Sequence, residues 1–141
     1  MKSNFLKFFG LAIGISILSL PLSAHHGAAA YDTEKRIALK GTVTQWFWAN
    51  PHCVILLDVT DENGRVVHWT AETENPTTMS HQGWTKASFK LGDEVTVTMI
   101  TVKNGKPIGR IVEVVLPNGQ KLAGRVISAL PPYNPKDTLK Q

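Results

Sequence analysis

The sequence predicts a small all-β domain with one short helix, folded as a five- to six-stranded OB-like barrel. Three observations carry that expectation. Apolar and polar residues alternate with period two over five segments, turn residues separate those segments, and one helix signal falls between the third and fourth. An OB-fold is a five-stranded, partly open Greek-key barrel, and this order of elements matches it. An antiparallel β-sandwich of the same strands is the alternative.

The first strand begins at Ile37, where Ile37, Leu39, Gly41, Val43 and Phe47 alternate with Lys40, Thr42, Thr44 and Trp46. Strict alternation puts Trp46 and Trp48 on the outward face. Asn50-Pro51 ends this run, because proline has no amide to give a sheet ladder. His52 to Thr60 and Arg65 to Thr73 form the next two strands, joined by Asp61-Glu62-Asn63-Gly64. Cys53, Ile55, Leu57 and Val59 share one face of the second strand; Val67, Trp69 and Ala71 share one face of the third. Both sets meet one core only when Leu57 lies opposite Trp69, with a three-residue loop and a bulge at Gly64. That register pairs Asp58 with His68, Val54 with Glu72 and His52 with Glu74 on the other face.

Asn75-Pro76 reads as a helix start, with Asn as the cap and Pro in the first turn, and Gln82-Gly83 as its end. Leu91-Gly92-Asp93 turns into a fourth strand, Glu94 to Val102. Asn104-Gly105 signals a two-residue hairpin into a fifth strand, Pro107 to Leu116. Pro117-Asn118-Gly119 leads to a last short strand, Gln120 to Ala123.

The ends of the chain read differently. Lys2 and Lys7, an apolar run from Phe8 to Leu20, and Pro21 before Leu22-Ser23-Ala24 form the pattern of a cleavable signal peptide, residues 1–24. The apolar run is shorter than the roughly 20 residues a membrane-spanning helix needs. Export to the periplasm follows, with no membrane attachment after cleavage. Ala28-Ala29-Ala30 offers a second cut that fits the small-residue rule better but lies farther from the apolar run. Residues 25–36 are a polar, Ala-rich lead-in, 37–123 the barrel, and 124–141 an extended or disordered tail containing Pro131-Pro132 and Pro135.

Removing 24 residues from 141 leaves 117, enough for one small domain. Without Lys2 and Lys7 the 15 basic residues become 13 against 11 acidic ones, a net charge of +2. So small an excess argues against a nucleic-acid partner. The single cysteine, Cys53, has no intramolecular partner, and its place in a strand suits burial.

A cut after Ala24 would start the mature protein with His25-His26. An N-terminal histidine carries its α-amine and an imidazole on one residue, so the two nitrogens close a chelate ring on a metal. Such donors suit Cu(II), Ni(II) and Zn(II), and copper generally binds them tightest. His25, His26 and His52 are the candidate ligands and Cu2+ the candidate cofactor. The competing expectation for His52 is a hydrogen bond from its ring to a neighbour such as Glu74. The other candidate site is a surface of Trp46, Trp48 and His68, which would bind a protein or small ligand without metal. Against it stands cover of the two tryptophans by the lead-in or tail. His68 opposite Asp58 is most simply a cross-strand polar pair.

Ala24-His25-His26, Gly41-Thr42-Val43, Asn50-Pro51-His52, Gly83-Trp84 and Lys90-Leu91-Gly92-Asp93-Glu94-Val95 occur in this order. As a set they resemble a family of small exported bacterial proteins of unknown function, marked by an Ala-His-His mature start and an Asn-Pro-His motif. The resemblance implies export and a small β-domain; it implies no activity. The chain departs from the family at Cys53, where an aliphatic or aromatic residue is usual, and at Gly27, where Ser is usual.

No catalytic constellation is recognised. Ser80, Ser88 and Ser128 lack the Gly-x-Ser-x-Gly context of a nucleophile elbow. Cys53 and His52, adjacent on a strand, point to opposite faces and cannot act together as nucleophile and base. The expectation is an accessory or binding protein rather than an enzyme.

Overall fold

The structure, a computed structural model, describes residues 30–124. The signal peptide, His25 and His26, and the tail beyond Gly124 lie outside the described residues. Six strands form in order: β1 (Ile37–Phe47), β2 (Val54–Thr60), β3 (Val66–Glu72), β4 (Glu94–Thr101), β5 (Ile108–Val115) and β6 (Lys121–Ala123). A single helical turn, α1 (Pro76–Ser80), sits between β3 and β4.

β1 is long enough to serve two neighbours. Its first half, from Ile37 to Thr42, pairs with β4, and its second half, from Thr42 to Phe47, pairs with β2, both antiparallel. β2 continues to β3, and β4 to β5, by antiparallel hairpins. The barrel closes where β3 and β5 run parallel, with Thr70 opposite Ile108 and Glu72 opposite Arg110. β6 adds to the free edge of β5 outside the barrel. Five closed strands with a helix between the third and fourth give the OB-like layout, not the sandwich. Closure requires Gly109, which pairs with Ala71 of β3 and with Thr101 of β4. A Cβ there would meet Met99 Sδ at 2.2 Å and the Ile100 carbonyl oxygen at 3.0 Å.

The inward faces of β1 to β5 supply one core, including Leu39, Ile55, Leu57, Trp69, Val97 and Ile111. Each such side chain contributes on the order of 1.5–3 kcal/mol by leaving water. The β2–β3 register is the expected one: Leu57 faces Trp69, Asp58 faces His68 and Val54 faces Glu72. Cys53 is fully buried. Asp61 organises the hairpin loop, its carboxylate accepting from the Asn63 and Arg65 amides and pairing with the Arg65 guanidinium at 2.8 Å. Those bonds, the Arg65 amide foremost, hold Asp61 below the usual carboxylate range.

α1 plugs one end of the barrel. Asn75 caps it by accepting from the Thr78 amide at 3.0 Å, and Met79 is fully buried beneath it. Trp84 and Phe89 follow into the same end of the core, and the Trp84 indole donates to the Ala123 carbonyl at 2.6 Å.

Two features differ from strict alternation. The β1–β2 register shifts between Val43 and Gln45, a bulge that reverses which side chains face inward. Phe47, expected in the core, is therefore exposed at 42 %, while Trp46 and Trp48 turn inward and pack against the core. The β4–β5 connection is also longer than the expected two residues. The Val102 amide donates across the turn to the Ile108 carbonyl at 3.1 Å, so residues 103–107 form the loop. Pro107 has no amide to extend the ladder, which accounts for the wider turn.

Candidate functional site

His52 lies just before β2, after the Asn50–Pro51 bond, which is cis. The Cys53 amide donates to the Glu74 carbonyl at 3.0 Å, and the Thr73 amide to the Cys53 carbonyl at 2.9 Å. These bonds carry the β2–β3 pairing one step past its last ladder pair and fix the backbone beside His52. The imidazole itself is held by the Thr73 carbonyl, 2.9 Å from Nδ1. A carbonyl only accepts, so Nδ1 carries the hydrogen and donates it. In the neutral ring Nε2 then carries the lone pair. A backbone carbonyl on one ring nitrogen is the usual outer partner of a metal-binding histidine, because it fixes both tautomer and ring orientation. The expected ring contact of His52 thus exists, but with the Thr73 carbonyl.

The lead-in docks at the end of β4, and its Tyr31 side chain reaches along the barrel to β3. The Asp32 amide donates to the Thr101 carbonyl at 2.8 Å and the Lys103 amide to the Ala30 carbonyl at 2.9 Å, so Tyr31 bridges Val102 as a short antiparallel addition to β4. The Tyr31 ring is buried in a second apolar cluster with Ile100 and Val102, on the outside of the barrel. Its hydroxyl donates to the Glu72 carboxylate at 2.5 Å. Arg110 stands over the Tyr31 ring at 5.0 Å and approaches the same carboxylate at 3.5 Å. Burial first, and the Glu72 bond second, push the Tyr31 hydroxyl far above its ordinary range, so it stays a donor.

Glu72 and Thr73 are consecutive, about 3.8 Å apart at Cα. One holds the docked end of the lead-in and the other holds the His52 ring. On the other edge of β3, the Thr70 amide donates to the Pro107 carbonyl at 2.9 Å, so the loop beside Ala30 also reaches this half of β3. Only His25 to Ala29 separate the expected mature start from the docked Ala30. Extended chain covers roughly 3.3–3.6 Å per residue, about 17 Å for five residues. Among the described residues no group of three or more His, Cys, Asp or Glu side chains is arranged to hold a metal ion. His52 is the one candidate metal ligand that lies within them.

The aromatic residues form a different assembly. Trp46 meets Phe89 edge-on at 4.9 Å, Trp84 at 5.9 Å and Trp48 at 5.7 Å between ring centroids. The Trp46 indole donates to the Lys86 carbonyl at 3.1 Å, so the segment after Trp84 covers it. Among the described residues this loop supplies the cover; the tail and residues 25–29 of the lead-in, expected to cover the tryptophans, lie outside them. His68 lies elsewhere, on β3, its exposed ring donating to Asp58 at 2.6 Å. Trp46 faces Ile55 and His68 faces Asp58, three residues apart along β2 and on opposite sides of it. The structure thus gives the tryptophans to the core margin and leaves His68 in a surface pair.

Tyr31, Glu72 and Arg110 were missed by pattern reading. Their signal was the pair Met99-Ile100 in β4, two adjacent apolar residues that alternation cannot place on one face. Val95, Val97 and Met99 alternate into the core, so Ile100 faces outward, and Tyr31 covers it.

No curated protein and no solved structure matches the chain. The model of a family of unknown function, DUF6152, matches residues 14–111. That span is more than half the chain and includes the Asn-Pro-His motif, the docked lead-in and the closure of the barrel. The resemblance seen in the sequence to a family of unknown function therefore has its counterpart, and the chain belongs to the family DUF6152.

Proposed function

We propose that the mature protein is a periplasmic copper-binding accessory protein whose metal site is completed by its own N-terminus. Cleavage after Ala24 provides the His25 amine and imidazole as a chelating pair. His52 supplies a third nitrogen through Nε2, and His26 is a further donor on the same peptide. Three or four nitrogens suit Cu(II), which generally outcompetes the other divalent ions of its row for such sites. The observation that carries this reading is the Nδ1 bond from His52 to the Thr73 carbonyl, beside the Glu72 carboxylate that anchors the lead-in. The Thr73 bond orients one proposed ligand, and the Glu72 bond anchors the segment that carries the others.

The retained Ala30 carbonyl also favours the earlier cut, since it accepts from the Lys103 amide. Cleavage after Ala30 would remove that acceptor and place a charged amine on the buried Tyr31. Copper supplies a Lewis acid or a one-electron centre when bound; the chain's part is to hold it through nitrogen ligands.

Intact-mass measurement of the exported protein tests the first condition, with a start at His25 expected and a start at Tyr31 fatal to the proposal. Copper titration by calorimetry tests the second. A 25–141 chain should bind one equivalent far more tightly than a 31–141 chain. Equal binding by the two would overturn the proposed site.

A further inference from the structure

The end of the barrel opposite α1 has no helix over it. β1 and β3 begin there, β2 and β4 end there, and the loops 61–65 and 103–107 flank a cavity of about 430 Å³. Its inner wall is apolar: Ile37, Val67, Val102, Pro107 and the ring of Trp69. Its rim is basic, with Lys35, Lys103, Lys106 and Arg65 against Asp32 and Asp61. Asp61 is already paired with Arg65, and Asp32 accepts from the Glu34 amide, so the three lysines dominate the opening.

Trp69 adds a second, independent observation. It is only 7 % exposed, yet its indole N–H meets no acceptor among the described residues. The Trp46 and Trp84 indoles, by contrast, each donate to a backbone carbonyl. A buried donor without an acceptor is rare and costs free energy until one arrives. Mouths of β-barrels are frequent ligand sites, and a volume of several hundred Å³ suits a small molecule.

We propose that this mouth binds a small hydroxy-carboxylate with an apolar body. The carboxylate sits among Lys103 and Lys106, the body lies against Ile37, Val67 and Val102, and the distal oxygen accepts from the Trp69 indole. The site lies at the other end of the barrel from His52, so it stands or falls apart from the copper proposal.

The probe is 4-hydroxybenzoate, titrated into the 15N-labelled mature protein and followed by two-dimensional 1H–15N NMR. The Trp69 indole signal is assigned by its loss in Trp69→Phe. Binding should shift that signal and the Val67 and Val102 amides along one saturable curve. Benzoate, without the distal oxygen, should shift the Val102 amide and leave the Trp69 indole nearly unmoved. The double variant Lys103→Gln/Lys106→Gln, whose changes are on the surface and keep the spectrum of a folded protein, should bind roughly tenfold more weakly. His52→Ala should bind as the parent does. Absence of saturable shifts at the mouth would overturn the proposal. So would equal binding of uncharged 4-hydroxybenzyl alcohol, or a Trp69 signal that responds to benzoate as strongly as to 4-hydroxybenzoate.

Discussion

Replacing Trp46 by alanine should destabilise the protein far more than replacing Phe47, although alternation from Ile37 makes Phe47 the inward residue. The bulge between Val43 and Gln45 inverts their roles. Trp46→Ala removes an edge-on contact with Phe89 at 4.9 Å, tilted contacts with Trp84 and Trp48, and the indole bond to the Lys86 carbonyl. Aromatic pairs contribute about 0.5–1.5 kcal/mol each beyond area, and a hydrogen bond about 1 kcal/mol. Full truncation of a core Trp costs about 3–5 kcal/mol, and Trp46 is half-buried, so about 2–4 kcal/mol is expected. Phe47, 42 % exposed, should cost about 1 kcal/mol or less. Urea unfolding followed by far-ultraviolet circular dichroism avoids the loss of a fluorophore. With a slope of about 1–1.5 kcal/mol per molar urea, Trp46→Ala should lower the midpoint by roughly 2 M. A larger loss for Phe47→Ala than for Trp46→Ala would refute the bulge and the covered position of the aromatic cluster.

Three further outcomes follow from the same geometry. Tyr31→Phe keeps the ring in its apolar cluster but removes the donor to Glu72, a bond to a charged acceptor, so stability should fall by about 1.5–3 kcal/mol in thermal or urea unfolding; an unchanged midpoint would show that the lead-in is not latched there. Asp61 has a folded-state pKa below its unfolded one, so its contribution is present above the ordinary carboxylate range and is lost as pH falls through the lower, folded value. Asp61→Asn should therefore flatten the acid limb of a stability–pH profile, and an unaltered limb would contradict the role given to the loop carboxylate. Burial pushes the Cys53 thiol up, so a disulfide reagent should leave it unmodified in the folded protein and label it in urea; fast labelling without denaturant would place Cys53 at the surface.

The β2–β3 hairpin was legible residue by residue because both strands alternate without a break and a one-residue slip would have mixed their faces. The cap at Asn75 was legible because proline follows it directly. The bulge in β1 was not, since Thr42-Val43-Thr44-Gln45 contains no glycine or proline to mark it. A bulge of this kind is set by the need of one long strand to bend between two neighbours, which is a property of the closed barrel. For the same reason alternation alone puts Trp46 and Trp48 on the outward face, while the bulge turns them to the core margin. The docking of Tyr31 depended on Glu72 and Arg110 meeting across the parallel β3–β5 closure, 38 residues apart in sequence. His52 was readable as a donor, but its carbonyl partner was not, because alternation pointed to Glu74.

The proposed copper site is tested most directly by electron paramagnetic resonance of the mature protein, starting at His25 and loaded with one equivalent of Cu(II), beside His52→Ala. The account predicts a single type 2 spectrum with nitrogen superhyperfine structure in the parent. It predicts a changed spectrum with one nitrogen fewer in the variant, whose unfolding curve should still show a folded domain. Identical spectra for the two proteins would contradict it, confining copper to the terminal peptide and leaving the His52 imidazole as a structural contact to Thr73.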